Sequence, residues 1–139
     1  MQELQKVHTI HRASPTNTEF LYSRGLSHHR EGHLKEAIQI FSILCTYRPV
    51  EIRFWLSLST SLQEAKRYEE AHRTWGVAAI LQDSDPYPHF HIAECCLYLH
   101  NFTEASQALE KSLARIEGTH PLLEKIAMLK KQWNEKQCL

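Results

Sequence analysis

Histidine and cysteine are the residue types in this chain best suited to chemistry, because imidazole nitrogens and thiolates bind transition metals. Ten histidines are present, and several cluster with each other or with a cysteine. The clusters are His28, His29 and His33, and then His89, His91, Cys95 and His100. His91 and Cys95 lie four residues apart, so both could face one ion on a helix. The chain contains no Cys-x-x-Cys and no His-Glu-x-x-His spacing, and we therefore interpret the histidines as structural and expect no metal ion and no cofactor.

Residue patterns of enzyme active sites are also missing from the sequence. It has no glycine-rich phosphate loop and no Gly-x-Ser-x-Gly turn. Acidic residues such as Glu69, Glu70 and Glu104 stand at predicted helix starts, where the helix dipole favours a negative charge. We therefore expect no catalytic residues and a protein that is not an enzyme.

The elements that must position these side chains follow from a pattern that recurs every 34 residues. Two registers hold small residues and a third holds large apolar ones: Gly25, Ser59 and Ala93; Ala37, Ala71 and Ala105; Phe41, Trp75 and Leu109. Small residues let two helices approach closely where they cross, and the large ones fill the space between crossings. Self-similarity at this period is typical of the tetratricopeptide repeat, a helix–turn–helix unit that stacks into a solenoid.

The predicted fold is therefore all-α, with three tetratricopeptide repeats forming a concave solenoid and a C-terminal capping helix. The repeats occupy residues 18–51, 52–85 and 86–119, and together they span 18–119. Residues 120–139 are expected to form the capping helix and a tail. The apolar residues of that helix recur at helical spacing: Leu122, Ile126, Leu129 and Trp133.

Helix boundaries follow from the same period. Helices are expected near residues 18–31, 34–48, 52–65, 68–82, 86–99 and 102–116, with a seventh after Pro121. Residues 1–17 form an N-terminal arm that precedes the repeats. Leu4, Val7 and Ile10 could line one side of a short helix there, and Pro15 is expected to interrupt the chain before the first repeat.

The first helix of each repeat is expected to line the inner, concave surface, where places two, five, nine and twelve share one helical face. From these places we predict a peptide-binding set: Tyr22, Leu26, His29, Leu56, Thr60, Gln63, Tyr87, Phe90, Glu94 and Leu97. An apolar, aromatic concavity with scattered polar groups suits an extended peptide with spaced hydrophobic anchors. The alternative is that some of these residues are ordinary core positions. Arg53 is the one arginine or lysine at these places, which argues against a site for a C-terminal carboxylate.

Composition and charge narrow the classes of partner. Sixteen basic and sixteen acidic residues give zero formal net charge, so no excess of Lys and Arg is available to neutralise the phosphates of a nucleic acid. No apolar run approaches the roughly 18 residues of a membrane span, and no secretory signal pattern opens the chain. Cys45, Cys95 and Cys96 fall inside predicted helices, where buried thiols pack as small hydrophobes. We expect a protein of a reducing cytoplasm that binds neither nucleic acid nor membrane.

Three segments carry a more specific resemblance. The third repeat opens with Asp85-Pro86-Tyr87-Pro88-His89-Phe90-His91-Ile92-Ala93-Glu94-Cys95, the first contains Phe41-x-x-Leu44-Cys45, and the second begins Arg53-Phe54-Trp55-Leu56-Ser57-Leu58. Over approximately residues 18–134 the chain resembles the class II chaperones of bacterial type III secretion, the SycD/LcrH group. Tyr22 matches an aromatic position on the first inner helix of that family.

The resemblance implies a chaperone of the bacterial cytoplasm that is not an ATPase. Its clients would be secreted translocator proteins, hydrophobic and membrane-inserting, which it keeps secretion-competent by holding an extended segment of a Pro-x-Leu-x-x-Pro kind in its concave groove. Two alternatives stay open: a scaffold or regulator that binds a secretion gatekeeper protein, and a generic tetratricopeptide adaptor unrelated to secretion. Family members usually carry a longer leading arm used in self-association, whereas residues 1–17 alone precede the repeats here, so the arm could be truncated and a homodimer stays open.

Overall fold

The computed structural model describes residues 15–137 of the chain and the side chains of residues 17–135. Within that range the chain forms seven α-helices and no β-strand: α1 (Pro15–Arg30), α2 (Leu34–Tyr47), α3 (Ile52–Glu64), α4 (Tyr68–Leu81), α5 (Pro86–Tyr98), α6 (Phe102–Ala114) and α7 (Leu122–Gln137). The predicted all-α class is confirmed. The predicted N-terminal arm lies almost wholly outside the described residues, including Leu4, Val7 and Ile10.

The chain divides into two compact units, Met1–Arg67 and Tyr68–Leu139. In the first unit α1 packs against α2, and α2 packs against α3. In the second unit α5 packs against α4 and α6, and α7 contacts both α5 and α6. The boundary between the units falls inside the predicted second repeat, between its two helices. The repeat limits derived from the 34-residue period therefore stay a prediction.

The core of the first unit is built around a close approach between α1 and α2. Gly25 on α1 is buried, and a Cβ atom built on it would lie 2.6 Å from Cε1 of Phe41. Phe41 itself is fully buried on α2, as are Ala37 and Leu44. The small residue at position 25 therefore leaves room for an aromatic ring, as the spacing predicts.

The second unit has a core to which α7 contributes directly. Leu122, Ile126 and Leu129 are buried together with residues of α5 and α6, and Trp133 packs partly buried against the same cluster. These are the four residues whose spacing predicts a capping helix. The predicted apolar face of α7 is confirmed. The imidazole Nδ1 of His120 accepts a hydrogen bond from the Leu122 N–H at 3.0 Å and so caps the start of the helix.

The turn inside each predicted repeat has the same backbone conformation. Gly32, Lys66 and His100 follow one another at 34-residue intervals, and their φ angles are 81°, 63° and 59°. In each turn the next N–H bonds the carbonyl five residues earlier, and the three pairs are His33 with His28, Arg67 with Leu62 and Asn101 with Cys96, at 2.8, 2.9 and 2.8 Å. These are Schellman helix ends, which favour glycine at the left-handed position. The 34-residue period is thus present in the backbone geometry as well as in the sequence.

Two of these turns carry a steric penalty, because Lys66 and His100 have a Cβ atom at positive φ. We expect Lys66→Gly and His100→Gly each to raise the free energy of unfolding by about 0.5–1 kcal/mol. Gly32→Ala should lower it by about 1 kcal/mol, because it introduces the strain that the other two turns already have. Urea unfolding followed by circular dichroism measures all three. A loss of stability in both glycine variants would contradict the proposed strain.

Helix starts are set by side-chain caps and prolines. The side chain of Asp85 accepts from the Tyr87 N–H at 2.9 Å at the start of α5, where Pro86 occupies the first turn. Asn101 Oδ1 accepts from the Glu104 N–H at 3.3 Å at the start of α6. Pro15 is the first residue of α1, and the expectation that it interrupts the chain before the first repeat stays a prediction, because the residues that precede it lie outside the described range. Proline lacks the N–H that a first-turn residue does not need, and it therefore fits there.

The cysteines of the described residues are buried free thiols. Cys45, Cys95 and Cys96 have no disulfide partner, and burial raises the pKa of each thiol to about 12. They pack as small apolar side chains, as the sequence predicts. In the described part of the chain, no helix is both long enough and apolar enough to cross a membrane.

Candidate peptide-binding site

The predicted binding residues of the first unit lie on facing sides of α1 and α3, and we call this surface the α1/α3 face. Its predicted members are Tyr22, Leu26 and His29 on α1 and Leu56, Thr60 and Gln63 on α3. All six side chains are partly buried. Side chains of the two helices meet at sequence separations of 34 or 35 residues, close to the length of one repeat. The structure therefore brings these six of the ten predicted residues together.

Tyr22 lies at the centre of the α1/α3 face. Its hydroxyl group and the Ser57 hydroxyl group are 3.0 Å apart and share a hydrogen bond. Its ring packs at tilted angles against Phe41 and Phe54, with centroids 5.9 and 5.2 Å away. The ring is therefore fixed in position and can act as a rigid wall for a bound peptide at little cost in entropy.

The positive charge at one end of the α1/α3 face is paired with carboxylates of the protein itself. The Arg53 guanidinium donates to both carboxylate oxygens of Glu19, at 2.7 and 3.3 Å, and its Nε donates to Glu51 at 3.1 Å. The hydrogen bond from Arg53 lowers the pKa of Glu19, and the two carboxylates raise the pKa of Arg53. The guanidinium also lies 5.1 Å from the Tyr22 ring centroid. With its donors engaged, Arg53 is poorly suited to bind a peptide carboxylate, in agreement with the sequence argument.

The other end of the α1/α3 face carries a histidine and a hydroxyl group that already have partners within the protein. Nε2 of His29 lies 2.8 Å from a carboxylate oxygen of Glu64, an ion pair when the imidazole is protonated. The Thr60 hydroxyl donates to the Leu56 carbonyl at 2.8 Å, one turn earlier on α3. Between the two polar ends, Leu26 and Leu56 supply apolar surface. The face thus has charged pairs at its ends and apolar groups in the middle.

The second unit does not place its predicted residues on one surface. Phe90 and Leu97 belong to the hydrophobic core, with 4% and 3% of their surface exposed. The expectation that they project into an open groove is corrected by this placement. Both side chains share the cluster that α7 completes through Leu122 and Ile126, so the capping helix supplies the apolar partners that bury them.

The partly or fully exposed side of α5 is formed instead by Tyr87, His91, Glu94 and Tyr98, spaced four, three and four residues apart. Only Tyr87 and Glu94 of these were predicted. Nδ1 of His91 lies 2.6 Å from a carboxylate oxygen of Glu94, and the His91 ring stacks on Trp75 at 4.4 Å. Tyr98 was missed; it is 55% exposed and stacks flat on Tyr68 with centroids 4.3 Å apart. Assigning the exposed face of α5 one residue later, at Tyr98 in place of Leu97, would have included it in the predicted set.

The local histidine clusters of the sequence differ in their geometry. His28 and His33 do approach each other with Glu31, at the exposed turn after α1. His91 and Cys95 are absent from the groups of ligand atoms that converge within the described residues. The His91 imidazole is paired with Glu94, and Cys95 is fully buried. The sequence hypothesis that this pair faces one ion is not supported.

The fold and the exposed helix faces define a tetratricopeptide-like protein, a class whose helical surfaces bind other proteins. The chain is similar to low calcium response locus protein H of Yersinia pestis, with 29% identity over 100 residues. The matched region covers 72% of this chain and 60% of that protein, so the chain spans less than two thirds of its curated relative. No protein-family model matches the sequence.

Two solved structures extend the comparison. PcrH of Pseudomonas aeruginosa, in complex with the chaperone binding region of PopB, is 26% identical with a TM-score of 0.72, over 88% of this chain and 98% of that chain. A chain of the CopN–Scc3 complex is 28% identical with a TM-score of 0.77, over 86% of this chain and 71% of that chain. The predicted resemblance to the SycD/LcrH group is confirmed.

Proposed function

We propose that this protein is a type III secretion chaperone that binds translocator proteins and keeps them competent for export. The proposal is carried chiefly by the likeness to PcrH bound to the chaperone binding region of PopB. Similarity to low calcium response locus protein H supports it over 72% of the chain. In this role the protein is a binding module of the bacterial cytoplasm and not an enzyme.

The α1/α3 face is the proposed binding site for an extended segment of the client. Tyr22, Leu26 and Leu56 offer apolar surface to hydrophobic anchors, and His29, Thr60 and Gln63 lie at one end, where polar groups can meet the peptide backbone. Tyr87 and Glu94 on α5 are proposed as further contacts in the second unit. We do not retain Phe90 and Leu97 as contacts, because core packing leaves little of either side chain to touch a ligand.

A Pro-x-Leu-x-x-Pro segment fits this surface physically. Proline holds such a segment in an extended, polyproline-like conformation before binding, so docking costs less conformational entropy. At the Arg53 end of the face the guanidinium is already paired with Glu51 and Glu19, so a ligand does not need a carboxylate to neutralise it. Recognition then depends mainly on the placement of apolar anchors.

Isothermal titration calorimetry tests the proposal with a translocator-derived Pro-x-Leu-x-x-Pro peptide and the purified protein. We expect saturable 1:1 binding with a negative heat-capacity change, because apolar surface is buried. The matched peptide has its leucine replaced by aspartate and should not bind. Equal binding of both peptides, or no binding to a helical and folded sample, would overturn the proposal.

A second candidate function is the binding of a secretion gatekeeper protein. It is supported by the 28% identity to a chain of the CopN–Scc3 complex. Gel filtration of the protein mixed with a gatekeeper and a translocator peptide would show whether these two partners bind different surfaces. A ternary complex requires that the gatekeeper use a surface other than the α1/α3 face. A homodimer stays a prediction, measurable by analytical ultracentrifugation.

A further inference from the structure

Three side chains from three different helices converge in the second unit. They are His72 on α4, Cys96 on α5 and Glu104 on α6, and one potential ligand atom from each lies within 4.8 Å of the others. Nε2 of His72 and Oε1 of Glu104 are only 2.6 Å apart. Cys96 is buried, whereas the other two side chains are partly exposed. The cluster therefore lies at the edge of the core and not in open solvent.

The surroundings of the cluster resemble the arrangement around a metal ligand set. Asn101 Nδ2 donates to Oε2 of Glu104 at 2.8 Å, which fixes the orientation of the carboxylate and leaves Oε1 directed at His72. A cavity of about 330 Å³ borders all three residues and is also lined by Asn101 and Glu69. It provides space for an ion and for a water molecule as a fourth ligand.

We propose that His72, Cys96 and Glu104 form a binding site for a single Zn²⁺ ion. One imidazole nitrogen, one thiolate and one carboxylate oxygen are all ligands that zinc accepts, and three protein ligands leave one position open. The residues are held by three packed helices, so the ion would fasten α4, α5 and α6 to each other. This inference does not depend on the peptide-binding function.

Without a metal ion, His72 and Glu104 are hydrogen-bonded to each other. Burial and the neighbouring Glu104 raise the pKa of the Cys96 thiol to about 12, so the thiol is protonated at neutral pH. Binding of the ion forms a sulfur–zinc bond, and the thiol proton leaves to bulk solvent. Tetrahedral coordination requires ligand atoms about 3.2–3.8 Å apart. The His72 and Glu104 ligand atoms, now 2.6 Å apart, must therefore separate by about 0.6–1.2 Å.

Cys95 provides a matched control inside the same helix. It neighbours Cys96 in sequence, is equally buried, and its thiol pKa is likewise raised to about 12 by burial. It takes no part in the converging ligand group. A test that separates Cys96 from Cys95 therefore reports on coordination geometry and not on the general reactivity of buried thiols.

Titration with Co²⁺, a spectroscopic substitute for zinc, tests the site in the full-length chain with Cys138 replaced by serine. We expect 1:1 binding with a sulfur-to-cobalt charge-transfer band in the near ultraviolet, and Zn²⁺ should remove the band by competition. Saturating Zn²⁺ should raise Tm by roughly 5–10 °C, since only the folded state presents the three ligands together. The Cys95→Ser variant should behave as the parent does.

The Cys96→Ser and His72→Gln variants should lose the band and the Tm shift while circular dichroism shows unchanged helicity. Glu104→Gln, which keeps a hydrogen-bonding side chain at the start of α6, should weaken Co²⁺ binding at least 10-fold. The site is refuted if the parent protein binds Co²⁺ more weakly than roughly 100 µM. It is also refuted if the band survives in Cys96→Ser or vanishes in Cys95→Ser.

Discussion

Replacing Leu56 by glutamate is expected to abolish binding of a Pro-x-Leu-x-x-Pro peptide while leaving the chain helical. Leu56 lies in the apolar middle of the α1/α3 face and is only partly buried, so the free protein can keep the new carboxylate in water. Peptide docking would remove that water, and an unpaired buried charge costs several kcal/mol. Arg53, one turn earlier, is already paired with Glu19 and Glu51 and offers little compensation. We expect at least a 100-fold loss of affinity, equivalent to about 3 kcal/mol.

The control for this experiment is Val50→Glu, the same type of change at an exposed residue between α2 and α3. Its affinity for the peptide should stay within about threefold of the parent protein, because exposed substitutions away from the face change little. Calorimetry measures the affinity of both variants, and circular dichroism measures their helicity. If Leu56→Glu bound as tightly as Val50→Glu, the α1/α3 face would not be the binding site.

Replacing Gly25 by valine should destabilise the fold by about 3 kcal/mol or more. A Cβ atom at this position already falls 2.6 Å from the Phe41 ring, and valine adds two further methyl groups. Phe41 is fully buried on α2, which packs against both α1 and α3, and it cannot move aside without disturbing its neighbours. The favourable helix propensity of valine over glycine is only a few tenths of a kcal/mol and cannot offset the overlap.

Gly76→Val is the matched control, since Gly76 also lies within a helix but a Cβ atom built on it would have no described atom of a neighbouring element within 4 Å. Its free energy of unfolding should stay within about 0.5 kcal/mol of the parent protein. Urea unfolding measures both variants. Adding Phe41→Leu should recover part of the loss in Gly25→Val, because the smaller side chain relieves the overlap. Additive effects of the two substitutions would contradict the proposed contact.

The sequence predicts the fold well at positions where the size of a residue has one structural explanation, such as a close crossing of two helices. Ala37, Ala71 and Ala105 recur at helix crossings, and the structure leaves all three without exposed surface. The Schellman turns follow the same period, although only Gly32 indicates its conformation by residue type. Lys66 and His100 adopt positive φ because the surrounding helices fix the turn, which no local propensity indicates.

The sequence predicts less completely which candidate binding residues are exposed, because exposure depends on what the next element covers. Leu26 and Leu56 keep accessible surface in the first unit. Phe90 occupies the place of Leu56 in its repeat, and Leu97 the place of His29 and Gln63, but both belong to the buried cluster that α7 helps to form. An apolar side chain at such a place is therefore compatible with either role, and sequence alone does not decide between them.

The proposed zinc ligands illustrate a different limit of prediction from sequence, which is set by spacing along the chain. His72, Cys96 and Glu104 are separated by 24 and 8 residues, so none of the familiar short spacings joins them. Their convergence depends on the packing of α4, α5 and α6. In the local pair that spacing did suggest, His91 is paired with Glu94 and Cys95 is buried.

The closed charge network around Arg53 has a kinetic consequence. The one guanidinium at that end of the α1/α3 face is already paired with two carboxylates, and the whole chain carries no formal net charge. Such a surface exerts little long-range attraction, so encounter with a client should proceed at the unsteered rate of about 10⁵–10⁶ M⁻¹ s⁻¹ and depend weakly on salt. The lifetime of the complex, and with it the time a client stays protected, is then set by how slowly its apolar anchors leave.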